Sequence, residues 1–74
     1  MKDYHTNVFY SDEDEGYIAD IPDLQCCSAF GSTPFEALEE VEKAKAAWLA
    51  SAKKHRKTIP KPTYRPLIYQ LAHA

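Results

Sequence analysis

The densest group of side chains that could do chemistry is a run of four carboxylates, Asp12, Glu13, Asp14 and Glu15. Carboxylates at this density can bind Mg²⁺ or act as general acid and base. Adjacent positions on a turn are poorly preorganised for either role, and the run lacks the ligand spacing of an EF-hand. We therefore interpret it as a solvated hairpin tip, without a metal site or a catalytic site.

The cysteines and histidines are also poorly placed for chemistry. Cys26 and Cys27 are adjacent, so their Cα atoms lie about 3.8 Å apart, below the range of about 4.4 to 6.8 Å for most disulfides. We predict two reduced residues that pack in the fold. His5, His55 and His73 are scattered and lack the spacing of zinc ligands. With no triad-like serine motif and only two glycines for a phosphate loop, the sequence predicts no enzyme and no cofactor.

Two alternating segments predict a hairpin that presents the carboxylates at its tip. Residues 4–10 alternate in polarity and are rich in aromatic and branched side chains, the pattern of a strand. The acidic run interrupts this pattern up to Gly16, and residues 17–21 resume it. A proline-aspartate pair then ends the second strand, and residues 26–30 predict a third.

A helix with a clear start signal follows the strands. Thr33 is the expected N-cap, Pro34 stands at the first helical position, and Glu36 can complete a capping box. The helix should run to about residue 56, with acids early and bases late, as the helix dipole favours. Lys45 lies inside the apolar stripe, so either its stem crosses the sheet edge and its ammonium reaches an acid, or it makes a subunit contact. The stripe should pack on the sheet, with its tryptophan buried, and consists of Ala37, Leu38, Val41, Ala44, Trp48, Leu49 and Ala52.

The last third of the chain predicts an extended segment and a fourth strand. Residues 59–62 carry two prolines and should form an extended crossing segment. Residues 67–71 alternate in the manner of a strand, which can pair within this chain or with another subunit. The predicted fold class is α+β, with a three-stranded antiparallel sheet followed by one helix and a fourth strand, in the order βββαβ.

Length and hydropathy limit the assembly and location of the protein. Seventy-four residues make one domain, and so small a core is marginal on its own. We therefore predict a homodimer or tetramer. The longest uncharged run, residues 24–35, is too short to span a membrane, so we expect a cytoplasmic protein with no membrane partner. The expected oligomer contacts are Leu67, Ile68, Tyr69 and Leu71.

Charge is divided along the chain. Residues 1–42 carry all eleven acids and one base, a net charge of −10, whereas residues 43–74 carry eight bases and no acid, a net charge of +8. Either both regions are simply solvated, or the protein has a dipolar surface that self-associates or docks a charged partner. The chain is mildly acidic overall and lacks a basic stacking platform, so a general nucleic-acid binder is not expected.

Several short motifs, taken together, resemble the HicB-like antitoxins over nearly the whole chain. They are DEDEGYIADI at residues 12–21, PDL at 22–24, Cys27, G-x-T-x-x-E-A-L at 31–38, WL at 48–49 and IPKP at 59–62. The resemblance implies a partial ribonuclease H-like fold. It also implies neutralisation of a HicA-type toxin, a small basic RNA-cleaving protein whose RNA surface the antitoxin blocks. In that case Asp12, Glu13, Asp14 and Glu15 are the expected partner-binding residues.

The chain departs from the HicB-like pattern at two places. Cys26 replaces a glycine that usually precedes the cysteine, and Gln25 replaces a common proline, so the turn into the third strand is expected to differ. Many HicB proteins also carry a C-terminal DNA-binding domain, whereas this sequence stops at Ala74. We therefore expect a single domain over residues 1–74 without direct DNA binding. Ribonuclease activity is not expected either, because the fold fragment is incomplete.

Three functional hypotheses follow from these observations. The leading one is a single-domain antitoxin of a type II pair. The alternative is a stand-alone oligomeric binding module without a cognate toxin, and a weaker third is a cryptic metal-dependent nuclease. An adjacent reading frame for a small basic protein separates the first two, and metal titration with labelled RNA tests the third.

Overall fold

This computed structural model describes residues 3–65 of the chain. Within them lie three strands and one helix. The strands β1 (Asn7–Ser11), β2 (Gly16–Asp20) and β3 (Ser28–Gly31) form one antiparallel sheet with β2 at its centre, and the helix α1 (Pro34–Lys54) follows. The predicted α+β class and the order of these four elements are confirmed. The fourth strand predicted at residues 67–71 lies outside the described residues, as do the oligomer contacts Leu67, Ile68, Tyr69 and Leu71.

The first strand begins later than the sequence predicts. Pairing starts at Asn7, opposite Asp20, rather than at residue 4. Tyr4 instead donates its hydroxyl hydrogen bond to the carbonyl of Pro60, so the residues before β1 contact the segment that follows the helix. A contact between residues this distant in sequence leaves no local signal, which explains the error in the predicted boundary.

Two consecutive turns connect β2 to β3. The Leu24 N–H donates to the Ile21 carbonyl at 3.1 Å, and the Cys27 N–H donates to the Leu24 carbonyl at 3.0 Å. Cys26 is the third residue of the second turn and has a φ of 62°, in the left-handed region where glycine is favoured. The predicted third strand therefore could not begin at residue 26. The cysteine thus adopts a backbone conformation that glycine would favour.

Both ends of the helix are capped by hydrogen bonds. At the start, the Glu36 N–H donates to Thr33 Oγ1 at 3.1 Å, as predicted, and Glu36 Oε1 accepts from the N–H of Ser32 at 3.4 Å. The reciprocal bond thus falls one residue before the N-cap. At the end, Arg56 has a φ of 55°, and the Lys57 N–H donates to the Ala52 carbonyl at 2.8 Å, the pattern of a Schellman motif.

One face of the sheet packs against the helix and forms the core. The helix lies mainly over β3 and β2 and only slightly over β1. Small residues at the contact let the two layers approach closely, since Ala19 and Ala37 are both fully buried. Of the predicted stripe, Leu38 is 40% exposed and is a correction to the sequence interpretation. The core cluster consists of Ala19, Ile21, Leu24, Cys27, Ala37 and Val41.

Lys45 follows the first of the two predicted alternatives. Only 16% of its side chain is exposed, and its Nζ lies 2.9 Å from Glu42 Oε2 and 3.3 Å from Asp3 Oδ1. The hydrogen bond to Glu42, together with that to Asp3, raises the pKa of Lys45 against an opposing effect of burial. The stem covers apolar surface while the ammonium reaches two acids. Within residues 3–65, no helix is both long enough and apolar enough to cross a membrane.

Trp48 packs on the edge of the core and is only partly buried, which corrects the predicted full burial. Its indole Nε1–H donates to the carbonyl of Gln25 at 2.9 Å, so the ring fastens the helix to the β2–β3 connection. We expect Trp48→Ala to lower the free energy of unfolding by about 2 to 3 kcal/mol, below the about 3 to 5 kcal/mol of fully buried aromatics. Trp48→Phe should lower it by about 1 kcal/mol, the net value of the lost hydrogen bond. Urea denaturation measures the free energy of unfolding of both variants. Equal losses for Trp48→Ala and Trp48→Phe would mean that the hydrogen bond, and not the packing of the ring, accounts for the whole contribution of Trp48.

Candidate protein-binding surface

The four carboxylates occupy a short turn that β1 and β2 hold in place. Ser11 pairs with Gly16, which leaves residues 12–15 as the connection, as the sequence predicts. Ser11 Oγ donates to Asp14 Oδ2 at 2.8 Å and accepts from the Asp14 N–H at 3.3 Å. Glu15 closes the turn with a φ of 53°. The hydrogen bonds fix the backbone of this acidic turn, which we define as residues 12–15.

All four side chains of the acidic turn are exposed to solvent. Asp14 is engaged with Ser11, while Asp12, Glu13 and Glu15 form no hydrogen bond or ion pair with the other described residues. Such groups are available to an incoming molecule. Asp20 of β2 and Asp23 of the β2–β3 connection add to their charge, so residues 7–31 contain six acids and no lysine, arginine or histidine. The charged side chains of residues 7–31 therefore all carry the same sign.

Asp23 has a structural role that the sequence analysis did not assign. Its carboxylate accepts hydrogen bonds from the Thr63 N–H at 3.2 Å, from Thr63 Oγ1 at 3.0 Å and from the Tyr64 N–H at 3.1 Å. The ring of Tyr64 lies against that of His5, with centroids 4.8 Å apart. Partial desolvation raises the pKa of Asp23, but the bonds from Tyr64 and Thr63 outweigh it and hold the pKa below its usual value. This carboxylate ties the segment after the helix to the β2–β3 connection.

We expect Asp23→Ala to release residues 63 and 64 from the body of the protein. Three hydrogen bonds lose their acceptor, so amide exchange at Thr63 and Tyr64 should approach the rate of a free peptide, which hydrogen exchange with mass spectrometry measures. Asp12→Ala removes the same charge from a residue without such bonds and should leave exchange unchanged. The pKa of Asp23 is lowered in the folded protein, so the ionised carboxylate holds residues 63 and 64 fully above about pH 4. This attachment is lost as the pH falls through the lowered pKa of Asp23. Slow exchange at both amides in Asp23→Ala would contradict this role.

Two curated relatives cover most of this chain and of their own length. The UPF0150 protein Ta0767 of Thermoplasma acidophilum is 37% identical over 57 residues, which are 77% of this chain and 83% of that protein. The UPF0150 protein ssl0259 of Synechocystis sp. is 40% identical over 53 residues, 72% of this chain and 73% of that protein. The chain belongs to the UPF0150 family. No family model and no solved structure matches it.

The two relatives' names state the UPF0150 family and no activity. Among residues 3–65, no three His, Cys, Asp or Glu side chains are grouped as metal ligands would be. The cysteines of this UPF0150 chain differ from each other. Cys27 is buried, which raises the pKa of its thiol, and packs as predicted. Cys26 is exposed beside an open groove of about 390 Å³, so its prediction as a packing residue was wrong.

Large apolar side chains lie exposed on the surface of this UPF0150 member, and they were not predicted from the sequence. Phe9, Phe30 and Phe35 are 48%, 47% and 80% exposed. For the strand residues Phe9 and Phe30 the available signal was the alternation itself, because one helix covers one face of a sheet and leaves aromatic residues on the other face without cover. Exposed aromatics next to the acidic turn are typical of a surface that binds protein.

Proposed function

We propose that this protein is a HicB-like antitoxin that binds and neutralises a small basic RNA-cleaving toxin of the HicA type. The observation that carries the proposal is the acidic turn, whose four carboxylates are exposed at the end of a strand region without a base. A protein that binds RNA presents lysine and arginine to the phosphates. A surface of carboxylates competes with RNA for the same side chains, and so blocks access to them.

The strength of such an interface does not come from charge alone. Each exposed ion pair contributes only about 0 to 1 kcal/mol, although several together accelerate encounter. Stable binding therefore also needs apolar contacts, and the exposed strand residues Phe9 and Phe30 supply candidates. In this proposal the acidic turn steers the toxin and adjacent apolar groups retain it.

The proposal includes the parts of the fold that the described residues do not reach. We propose one domain over residues 1–74 with a partial ribonuclease H-like arrangement, in which residues 67–71 supply the fourth strand. It has no enzyme activity of its own and no direct contact with DNA. Its place is the cytoplasm, where an RNA-cleaving toxin meets its substrate and thiols stay reduced.

Coexpression tests the antitoxin function. The chain is produced with a HicA-type toxin, taken from an adjacent reading frame where that frame encodes a small basic protein, and the pair is purified through a tag on the toxin. We expect a stoichiometric complex, relief of growth inhibition, and loss of RNA cleavage when the chain is added to the purified partner. Undiminished cleavage in the presence of a molar excess of this chain would reject the function.

The alternative is a stand-alone oligomeric module. Phe35 favours it, because this ring is 80% exposed at the start of α1 and two copies could bury it together. We expect a homodimer or tetramer that loses subunits when residues 67–74 are deleted. Light scattering measures the mass of both chains. A mass near 8.4 kDa for the intact chain at micromolar concentrations would show that it is a monomer and would remove the oligomer proposal.

A further inference from the structure

The face of the sheet that the helix does not cover carries one apolar row. Tyr17 and Ala19 of β2 pack towards the helix, so Ile18 between them points to the opposite side. Ile18 pairs with Phe9 on β1 and with Phe30 on β3, and directly paired residues share a face. The three side chains thus form a continuous row across all three strands, which we call the outer face.

The outer face is open and continues towards the acidic turn. Phe9 is 48% exposed and Phe30 is 47% exposed. The ring of Phe30 lies over Gly16, the residue that follows the turn, since a Cβ at Gly16 would overlap this ring. Apolar surface and carboxylates are therefore neighbours on the same side of the domain.

The charge around the outer face selects the kind of molecule that can cover it. Asp20 lies on this face at one end, paired with Asn7 and Ser28, and the acidic turn borders the other end. No base occurs between residues 7 and 31. A symmetric pair of copies joined through this face would bring two acidic surfaces together, which is repulsive. A basic protein meets complementary charge at both ends of the row.

We propose that the outer face is the anchoring surface for a basic protein partner, whose contact patch is apolar and bordered by lysine or arginine. This inference rests on the proposed function and adds to it the residues that hold the toxin. Phe9 and Phe30 are the anchors, because aromatic side chains at the centre of an interface contribute most of its binding energy. Their loss acts on the dissociation rate, whereas the acidic turn acts on the association rate.

The test compares phenylalanines on and off this face. The probe is the coexpressed HicA-type toxin, and surface plasmon resonance gives its rate constants. We expect Phe9→Ser and Phe30→Ser each to raise Kd by roughly 30-fold, mainly through faster dissociation. Phe35→Ser, at the start of the helix, removes a ring that is 80% exposed and should leave Kd unchanged.

A second pair of variants serves if the serine variants fold poorly. Ser28→Lys places a positive charge on the outer face without removing an apolar side chain, and Ser51→Lys places the same charge on an exposed position of α1. Only Ser28→Lys should weaken binding of a basic partner, by at least about tenfold, through repulsion between like charges.

The outcomes separate this inference from the function on which it rests. If the wild-type chain neutralises the partner and all five variants bind equally well, the anchoring surface is wrong and the antitoxin function stands. If the wild-type chain binds no such partner, both are rejected. If the free chain forms an oligomer and Phe30→Ser lowers the mass of that oligomer, the outer face binds a second copy of the chain. That result would overturn the assignment of the face to a basic partner. If Phe9→Ser or Phe30→Ser lowers the free energy of unfolding as much as a core variant such as Val41→Ala does, the chain itself covers the outer face. That result would also overturn the assignment to a basic partner.

Discussion

Alanine at position 31 is expected to destabilise the domain by about 3 kcal/mol, the upper range for an added methyl group in a tightly packed site. Gly31 ends β3 where the first turn of α1 crosses it. A Cβ there would overlap the backbone nitrogen of Ala37 and lie 2.7 Å from both the carbonyl carbon and the Cβ of Glu36. Backbone atoms in a capped helix cannot rotate away, so strand and helix must separate. Such a loss is a large share of the about 5 to 15 kcal/mol that stabilises small domains.

Gly16 provides the matched control for this substitution. A Cβ at Gly16 would overlap the ring of Phe30, which is 47% exposed and can turn aside, and would lie 3.0 Å from the Gly31 carbonyl oxygen, so a shift of a few tenths of an ångström suffices there. We expect Gly16→Ala to lower the free energy of unfolding by less than about 1 kcal/mol, within the range of tolerated changes. Urea denaturation with a common slope compares the two variants. A similar loss for both would mean that strand conformation, and not the helix contact, requires glycine at position 31.

The elements that the sequence predicted correctly are those whose signals are local. Thr33, Pro34 and Glu36 stand within four residues of one another, and the helix begins there as expected. The acidic turn is likewise specified by two flanking strands that it directly connects. The crowded contact at Gly31 could not be foreseen, since it depends on how closely the helix packs on the sheet.

The residues that sequence analysis missed act over long distances along the chain. Asp23 binds Thr63 and Tyr64, forty residues later. The exposure of Phe9 and Phe30 depends on which face the helix covers, and alternation alone gives two faces without saying which is buried. Trp48 was placed on the correct stripe, but it lies at the edge of the core, where it contacts the β2–β3 connection through Gln25. Local patterns therefore locate elements, and their packing decides which side chains remain for a partner.

Neutralising the acidic turn is expected to slow association with the basic partner by at least about tenfold at low salt, with a small effect on dissociation. The variant carries Asp12→Asn, Glu13→Gln, Asp14→Asn and Glu15→Gln. The side-chain amide that replaces the carboxylate of Asp14 retains an oxygen that can accept from Ser11, so the turn should keep its conformation. Stopped-flow mixing measures the association rate between about 0.01 M and 1 M salt, where the Debye length falls from about 30 Å to about 3 Å. The association rates of the wild-type chain and the amide variant should converge as the salt concentration rises.

A control with the same net charge separates local steering from a general charge effect. Four lysines on exposed positions of α1, at Ala46, Ala47, Ala50 and Ser51, change the net charge by the same amount as the four amides. If the acidic turn faces the partner, the amide variant loses more of its association rate than the lysine variant, because the steering field is strongest near the contact. Equal losses would assign the effect to net charge alone. Superimposable rates for wild type and amide variant at low salt would remove the acidic turn from the interface, while neutralisation by the wild-type chain would still support the antitoxin function.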